Sequence, residues 1–465
     1  MSVQAEGTFY VQAIGLRPKV HVTADGSGAI GHAGARLLAD LADVTGLSAA
    51  YSAALRPLRP RGTGRDPGRI ATDLAVMLAD GGEAIADLAV LRDQAGVFGP
   101  VASNPTAWRL LADTDERTLA SLRSAGAQAR EVAWLQAAGH GEGIPAARAA
   151  GRILPGLVLD LDATLITCHS EKQQAAPTYK GGFGFHPLLC FLANTGEALA
   201  AADHVTVLDQ ALAQIPDAHR HGTDILIRTD SAGSAKAFLA HVRDVQKRGI
   251  RTFFSVGYAI TEPVRRAVRA MPDCLWHPAL SQDGTLRDGA EVTELTGMVD
   301  LTGYPVGTRI IVRRDRPHPG AQLSLFDQDE GLRHQVFLTD TPYCDGGSAQ
   351  FLEVRHRGHA CVEDHIQCGK TTGFGRCPSR DFAINAVWLE LSLAAIDLLA
   401  LRVLLLGGEL AAAEPKKLRY RLLHVAARLT RGGRRLRLRI SATWPWRNEL
   451  ATAFHRLAAL PRPTG

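Results

Sequence analysis

The chain has no apolar stretch of the roughly 18 to 20 residues needed to cross a bilayer. The nearest, Leu391 to Leu406, is interrupted by Asp397 and Arg402, and a buried helix is expected there instead. The first residues lack a basic segment followed by an apolar core, so neither a secretion signal nor a membrane partner is expected. Cysteine is sparse: seven residues, none in a CxxC pair, which fits a reducing cytoplasm better than a disulfide framework. Cys361, Cys368 and Cys377 lie near one another, but their spacing matches no zinc pattern, and small buried residues are the expectation. Acids are scarce at one end. Residues Ala411 to Gly465 carry 13 Lys or Arg against only Glu414 and Glu449, a balance of +11 in a chain of net charge +5, so the remainder carries about −6. Such a split points to a polyanion partner for the basic end, and the crowding of Arg431, Arg434, Arg435, Arg437 and Arg439 favours a phosphate backbone.

What is present is an ordinary globular composition, 46% apolar and 21% charged over 465 residues, enough for about two to four domains. Residues 1–150 read as a helical domain. Leu38 to Leu55 has a helix-turn-helix pattern: Ala42 four residues before the turn glycine Gly46, then Ser48 as a candidate cap, and Leu55 closing the second helix. Arg56, Arg59 and Arg61 follow at once, with Arg65 and Arg69, as a basic arm would. Further helices are expected over 70–91 and 107–125. Gly26 to Gly31 matches GxGxxG after the strand-like Val20 to Thr23. No second strand ending in an acid follows at the required distance, so it is read as a turn.

From Gly156 the periodicity changes to short apolar runs separated by helices. Strands are expected at 157–167, 183–193 and 197–202, a helix at 207–215, a strand ending at Asp230, a helix at 234–246 and a strand at 251–256. Three meandering strands followed by alternating helix and strand is the ribonuclease-H-like order, with the fourth strand parallel to the first. That order brings Asp230 beside Asp162. Strand-like runs at 308–313 and 334–339, inside the 133 residues before Glu363, predict an inserted β-rich subdomain. The expected organisation is a helical domain (1–150), a first core segment (151–257), the insertion (258–345), a last core segment (346–408) and a basic helical tail (409–465).

The chemistry concentrates on three acids. Asp162 lies in the apolar run Leu157 to Leu165, Asp230 ends Ile225 to Thr229, and Glu363 lies in a helical stretch. Carboxylates so arranged can hold two hard divalent cations for phosphoryl transfer. Alternation puts Asp160 on the same face as Asp162 and makes it a further candidate ligand. Glu363 and Lys370, seven apart, share a helix face, with Lys370 suited to a phosphate. A rival is the haloacid-dehalogenase-like phosphatase signature, Asp160 as nucleophile and Asp162 as acid/base, with Asp340 and Asp345 as a later acidic pair. The rival leaves the basic tail and Glu363 unused.

On Leu159 to Leu165 with Lys180 to Leu189, Ile227 to Ala232 and Arg355 to Leu399, the chain resembles DDE-type bacterial insertion-sequence transposases, the family numbered thirteen-eighty. The resemblance implies a catalytic triad of Asp162, Asp230 and Glu363 binding two Mg²⁺ or Mn²⁺ ions. It also implies double-stranded DNA as partner (element ends and target), a homodimer or larger assembly on DNA, and a cytoplasmic, nucleoid-associated setting. DNA contacts are expected from His359, Arg357 and Lys370, as well as from the helix-turn-helix and the basic tail. Relatives with a β insertion carry Tyr and Arg where His356 and His359 stand here. They pass through a DNA hairpin, with an aromatic from the insertion helping to hold a flipped base; Trp276 is the available candidate, although a core role is the expectation for it. A non-catalytic DNA-binding relative is the remaining alternative. Finally, Gln322-Leu323-Ser324-Leu325-Phe326 resembles the peptide by which bacterial replication proteins dock on the sliding clamp. The competing expectation is a β-hairpin strand with Leu323 and Leu325 inward.

Overall fold

The computed structural model describes residues 22–23, 26–139, 143–178, 180–317, 320, 323–401 and 405–462. Its first unit is helical: α1 (Ala35–Val44), α2 (Leu47–Ala54), α3 (Pro67–Ala79), α4 (Asn104–Asp113) and α5 (Glu116–Gly139). Gly46 joins α1 to α2 with φ +80°, the left-handed turn that a helix-turn-helix pattern requires and that glycine adopts without a Cβ clash. Asp66 caps α3, accepting from Gly68 N at 2.9 Å, with Pro67 at the first helical position. The helix expected over 70–91 therefore begins earlier and stops at Ala79. The one expected over 107–125 is two helices, broken at Thr114 and Asp115.

The centre is a nine-stranded mixed sheet. Its strands in chain order are β1 (Leu157–Ala163), β2 (Leu188–Leu192), β3 (Glu197–Ala202), β4 (Ile225–Thr229), β5 (Thr252–Tyr258), β6 (His277–Leu280), β7 (Leu286–Glu294), β8 (Arg309–Asp315) and β9 (Arg333–Thr339). The order across the sheet is β6-β7-β8-β9-β5-β4-β1-β2-β3. The five strands β3-β2-β1-β4-β5 form the expected ribonuclease-H-like arrangement, with β4 parallel to β1 and β5 parallel to β4. Helices α6 (His204–Gln214) and α7 (Lys236–Lys247) supply the crossovers. The strands expected at 157–167 and 183–193 are each cut short. Thr164-Leu165 and His186-Pro187 divert the chain into a small separate sheet containing Ile166–Cys168 and Phe183–Phe185.

The insertion is not a detached subdomain. Strand β9 pairs antiparallel with β5, and β8, β7 and β6 follow outward, so the insertion prolongs the core sheet through main-chain hydrogen bonds. Within it lies a short helix, α8 (Leu325–Glu330). Helices α9 (Ala349–Arg357) and α10 (Cys361–Gly369) return the chain to the sheet. The long helix α11 (Phe382–Ala400) is apolar enough to cross a membrane by composition, yet 67% of that stretch is buried inside the protein.

The C-terminal segment is a correction to the helical tail. It forms a hairpin, β10 (Ala427–Gly432) and β11 (Arg435–Ile440), followed by α12 (Arg447–Ala459). Gly433 and Arg434, both at positive φ, make the two-residue turn. Nor is this a separate domain. Ala29–Ile30, in the segment read as a simple turn, pairs antiparallel with β10, and α1 to α5, α11 and α12 share one hydrophobic core. The backbones meet closely here: Ala33 N donates to Val425 O at 2.9 Å and Gly34 N to Leu423 O at 3.1 Å. A Cβ on Gly34 would stand 1.9 Å from the Leu422 carbonyl oxygen. Gly34→Ala is therefore expected to force the two ends of the chain apart, at a cost of about 1–3 kcal/mol. A thermal melt indistinguishable from wild type would contradict this account of the junction.

Candidate active site

Asp160 and Asp162 occupy one face of β1, as alternation requires, but their environments differ. Asp160 is fully buried. Arg228, its register partner on β4, donates from Nε and Nη2 to its two carboxylate oxygens at 2.7 Å each. His359 Nδ1 approaches the same Oδ1 at 3.0 Å, and Arg228 Nη1 donates to the Arg355 carbonyl at 2.8 Å. Burial works to raise the Asp160 carboxyl, yet Arg228 and His359 hold it below the ordinary value. With both oxygens engaged, Asp160 is neither an open metal ligand nor a free nucleophile. It is a support that ties β1, β4 and the α9–α10 turn together.

Two positions further along, just past the last register pair Leu161↔Thr229, Asp162 stands near the end of β1 beside Asp230, the residue following β4. Asp162 is half-buried, and Asp230 and Glu363 are exposed. Burial raises the Asp162 carboxyl; the charges of Asp230 and Glu363 raise it further, while His359 opposes them. Asp230 Oδ1 accepts from Ala232 N at 3.0 Å and caps a short turn, which leaves its other oxygen uncommitted among the described hydrogen bonds. None of the three acids has a cationic partner within 4 Å among the described residues. Their oxygens do not all lie within 4.8 Å of one another, so a single ion would not reach all three as they stand. Oxygen-only donors, mutually repelling and without counter-ions, are a set that suits hard divalent cations.

A cleft of about 470 Å³ opens over this face, lined by Asp230, Glu363, His359, His356 and Arg357 among others. His359 Nε2 is buried without a hydrogen-bond partner. His356 is packed instead. It stacks on Phe337 with ring centroids 4.4 Å apart and meets Ser255 Oγ at 3.0 Å; burial lowers its pKa to about 3, so it stays neutral. Arg357 is largely committed to the protein, reaching Glu353 at 3.4 Å and the Leu280 carbonyl. Lys370 stands at the C-terminal end of α10, two turns from Glu363 on the same side.

Elsewhere the structure revises several expectations. Ser48 does not cap α2: the capping position is Gly46, and Ser48 Oγ donates to Asp43 at 2.5 Å. Arg56 and Arg61 are exposed, while Arg59 Nε donates to the Thr63 carbonyl at 3.1 Å. The segment resembling a clamp-docking peptide is neither an open peptide nor a strand. Ser324 caps α8 in a reciprocal pair with Asp327, and Phe326 is buried beneath Arg265 and Arg269. Leu325 is exposed, Leu323 precedes the cap, and Gln322 lies outside the described residues. Phe326 could not dock without unfolding α8. Trp276 belongs to the core, with Arg314 over its ring at 4.1 Å. Cys361 is exposed and Cys368 and Cys377 are half-buried, against the expectation that all three are buried. Asp340, the rival's later acid, is buried and accepts from Phe254 N at 2.7 Å.

Arg228 is the residue that sequence reasoning passed over. The signal was available: a lone arginine in the apolar run Ile225 to Thr229, on the strand expected to pair with the one carrying Asp160.

An α/β sheet of ribonuclease-H-like order with carboxylates at neighbouring parallel strand ends is an arrangement suited to metal-dependent chemistry on phosphodiesters. The chain belongs to the transposase DDE domain group 1 family, which it matches over residues 12–462. It is a DNA transposase, which sets aside the phosphatase and the non-catalytic readings, and DDE transposases use divalent metal ions. No curated relative matches the chain. Among solved structures it is similar to a piggyBac transposase synaptic complex with hairpin DNA, determined by cryo-electron microscopy. That likeness has a TM-score of 0.40 and 9% identity, covering 84% of this chain and 79% of that one.

Arg228→Gln is expected to leave Asp160 buried without its guanidinium, with the His359 imidazole still beside one oxygen, lowering stability by about 3–5 kcal/mol. Denaturant unfolding measures this, and a loss under about 1 kcal/mol would mean that the pair is not the strut described.

Proposed function

We propose that Asp162, Asp230 and Glu363 are the catalytic acids of this transposase and that together they hold two Mg²⁺ (or Mn²⁺) ions. What supports the reading is the electrostatic coupling of Asp162 to both other acids across two strands and a helix, opposed by His359, with no Lys or Arg within 4 Å of any of the three among the described residues. Bound divalent ions would supply charge stabilisation and alignment for phosphodiester hydrolysis at element ends and for attack of the freed 3′-hydroxyl on target DNA. Asp160 and Arg228 keep Asp162 in register. His359, anchored through Nδ1, offers Nε2 toward substrate phosphate, and Lys370 offers an ammonium one helical stretch away. DNA cleavage directed at its own element ends would abolish on Asp162→Ala, Asp230→Ala or Glu363→Ala, while DNA binding persists. Mapping the products on a sequencing gel tests this, and cleavage surviving any one substitution removes that residue from the triad.

The DNA itself is held, on this reading, by the arginine face of the C-terminal hairpin. Arg428, Arg435, Arg437 and Arg439 share one exposed face of β10 and β11, while Leu429, Leu438 and Ile440 turn to the core. None of these arginines pairs with an acid among the described residues. A two-stranded ribbon of this kind can track phosphates or enter a major groove. Arg56 and Arg61 are further exposed arginines, just after α2, and Arg434 sits at the hairpin's tip. Two such chains joining two element ends make a dimer or larger assembly on DNA. Replacing Arg435, Arg437 and Arg439 by alanine is expected to weaken DNA binding at every sequence and to reduce the salt slope by about 3. An unchanged slope in a filter-binding or anisotropy titration would exclude the hairpin from the interface.

A further inference from the structure

Away from the acids, three side chains from distant parts of the chain converge where its two ends meet. His32 lies just before α1, Asp80 follows α3 as its C-terminal cap, and His424 caps the helical turn Arg419–Leu423, three residues before β10. His32 Nδ1 is 2.6 Å from Asp80 Oδ2. His424 Nε2 is 3.4 Å from Asp80 Oδ1 and 2.7 Å from the Asp80 carbonyl oxygen. The imidazole rings sit with centroids 4.1 Å apart. One donor atom from each residue lies within 4.8 Å of the other two, and among the described residues no other set of three such side chains closes so tightly.

Three features make this more than a hydrogen-bonded cluster. Asp80 is 4% exposed, and its Oδ1 is buried without a hydrogen bond, so a carboxylate oxygen is held out of water facing two imidazoles. His32 adopts φ +49°, a left-handed conformation rare for a residue with a side chain, and the neighbouring contacts Ala33–Val425 and Gly34–Leu423 hold it there. Both rings remain about one third exposed, at 34% and 37%, so an ion has a way in and a fourth ligand position can be water. The charges facing the site are Asp80 itself and Arg419, whose Nε and Nη2 are turned to the Ala79 and Leu78 carbonyls.

We propose that His32, Asp80 and His424 form a site for a borderline transition-metal ion, Zn²⁺ by its two-nitrogen, one-oxygen donor set, which cross-links the two ends of the chain to the end of α3. Binding displaces two protons, the one shared between His32 Nδ1 and Asp80 Oδ2 and the one His424 Nε2 donates to the Asp80 carbonyl; bonds from His32 Nδ1, Asp80 and His424 Nε2 to the ion replace them, and the protons leave to solvent or move to the far nitrogen of the ring. The site is separate from the catalytic acids in chemistry and in sequence, and it stands whether or not the triad assignment does.

The test uses the full chain, stripped with chelator and then titrated with Co²⁺ and Zn²⁺. Asp162→Asn/Asp230→Asn serves as a parallel background in which the acids no longer compete. One equivalent of Co²⁺ should give the intense visible band of a four-coordinate nitrogen-containing site, and Zn²⁺ should displace it and raise the melting temperature. His32→Ala and His424→Ala should each weaken binding by about 100-fold, whereas the Asp162→Asn/Asp230→Asn background keeps the band. Wild-type chain showing only the weak band of six oxygen ligands, or binding equally well in the histidine variants, overturns the proposal. Should a histidine variant fail to fold, as judged by circular dichroism, the intensity of the wild-type cobalt band decides alone.

Discussion

The buried pair between Asp160 and Arg228 is the constraint on which the acid site depends. Two charges removed from water on adjacent strands are tolerable only if their hydrogen bonds are complete, and here the guanidinium meets both carboxylate oxygens. A one-residue slip between β1 and β4 would turn the arginine to the opposite face and leave Asp160 buried without its partner. The pair therefore penalises every register but one, and in that register Asp162 and Asp230 stand side by side. Its third arm, from Arg228 Nη1 to the Arg355 carbonyl, fixes the C-terminal turn of α9 and with it the start of α10. A single fork thus positions all three elements that bear the acids. Gly358 belongs to the same joint, since a Cβ there would stand 2.5 Å from Arg228 Nη1.

The insertion contributes to the site by continuing the sheet. Because β9 hydrogen-bonds to β5, the strand at what would be the core's open edge is covered, and α9 packs across β6, β7 and β8 on its way back to the acids. Arg313 on β8 pairs with Glu353 on α9 at 2.7 Å, and both are buried. Arg309 forms a two-armed pair with Glu294 between neighbouring strands. These pairs, one buried and one partly buried, penalise any slippage of the added strands, and they carry the sheet's rigidity to the helix preceding Glu363.

How much of this was legible in the sequence varies with the range of the interactions involved. The order of strands and helices from Leu157 to Tyr258 could be read because each element has its own apolar period, and the Asp162–Asp230 juxtaposition follows from that order. The continuation of the sheet through β9 to β6 could not, since nothing local in His334 to Thr339 says which edge it will join. The arginine hairpin was read as helix because a run so rich in arginine hides its alternation. Leu429, Leu438 and Ile440 face inward, yet only the register across Gly433 and Arg434 makes the pattern visible. Phe326 was misread for a related reason. The segment's docking-peptide appearance is a property of five residues, whereas its burial depends on Arg265, Arg269 and His334, all distant in sequence or strand.

The distribution of charge then acquires a physical meaning. Burial, and then the charges of Asp230 and Glu363, make Asp162 resist ionisation more than an isolated carboxyl would, with His359 opposing them. A divalent ion reverses that balance: the repulsion that raises Asp162 is also what favours cation entry, and it strengthens with each acid that ionises. A polyanion approaching the acids without cations would meet the same repulsion. Attraction to DNA must therefore come from elsewhere on the surface, and the uncompensated arginines of β10 and β11 are suited to that work. Because those strands are joined to the helical unit through the Ala29–Ile30 pairing and a common core, they are not a loose tail. DNA drawn to them would be held at a set distance from the acids, with its path over the cleft determined by the junction of the chain's two ends.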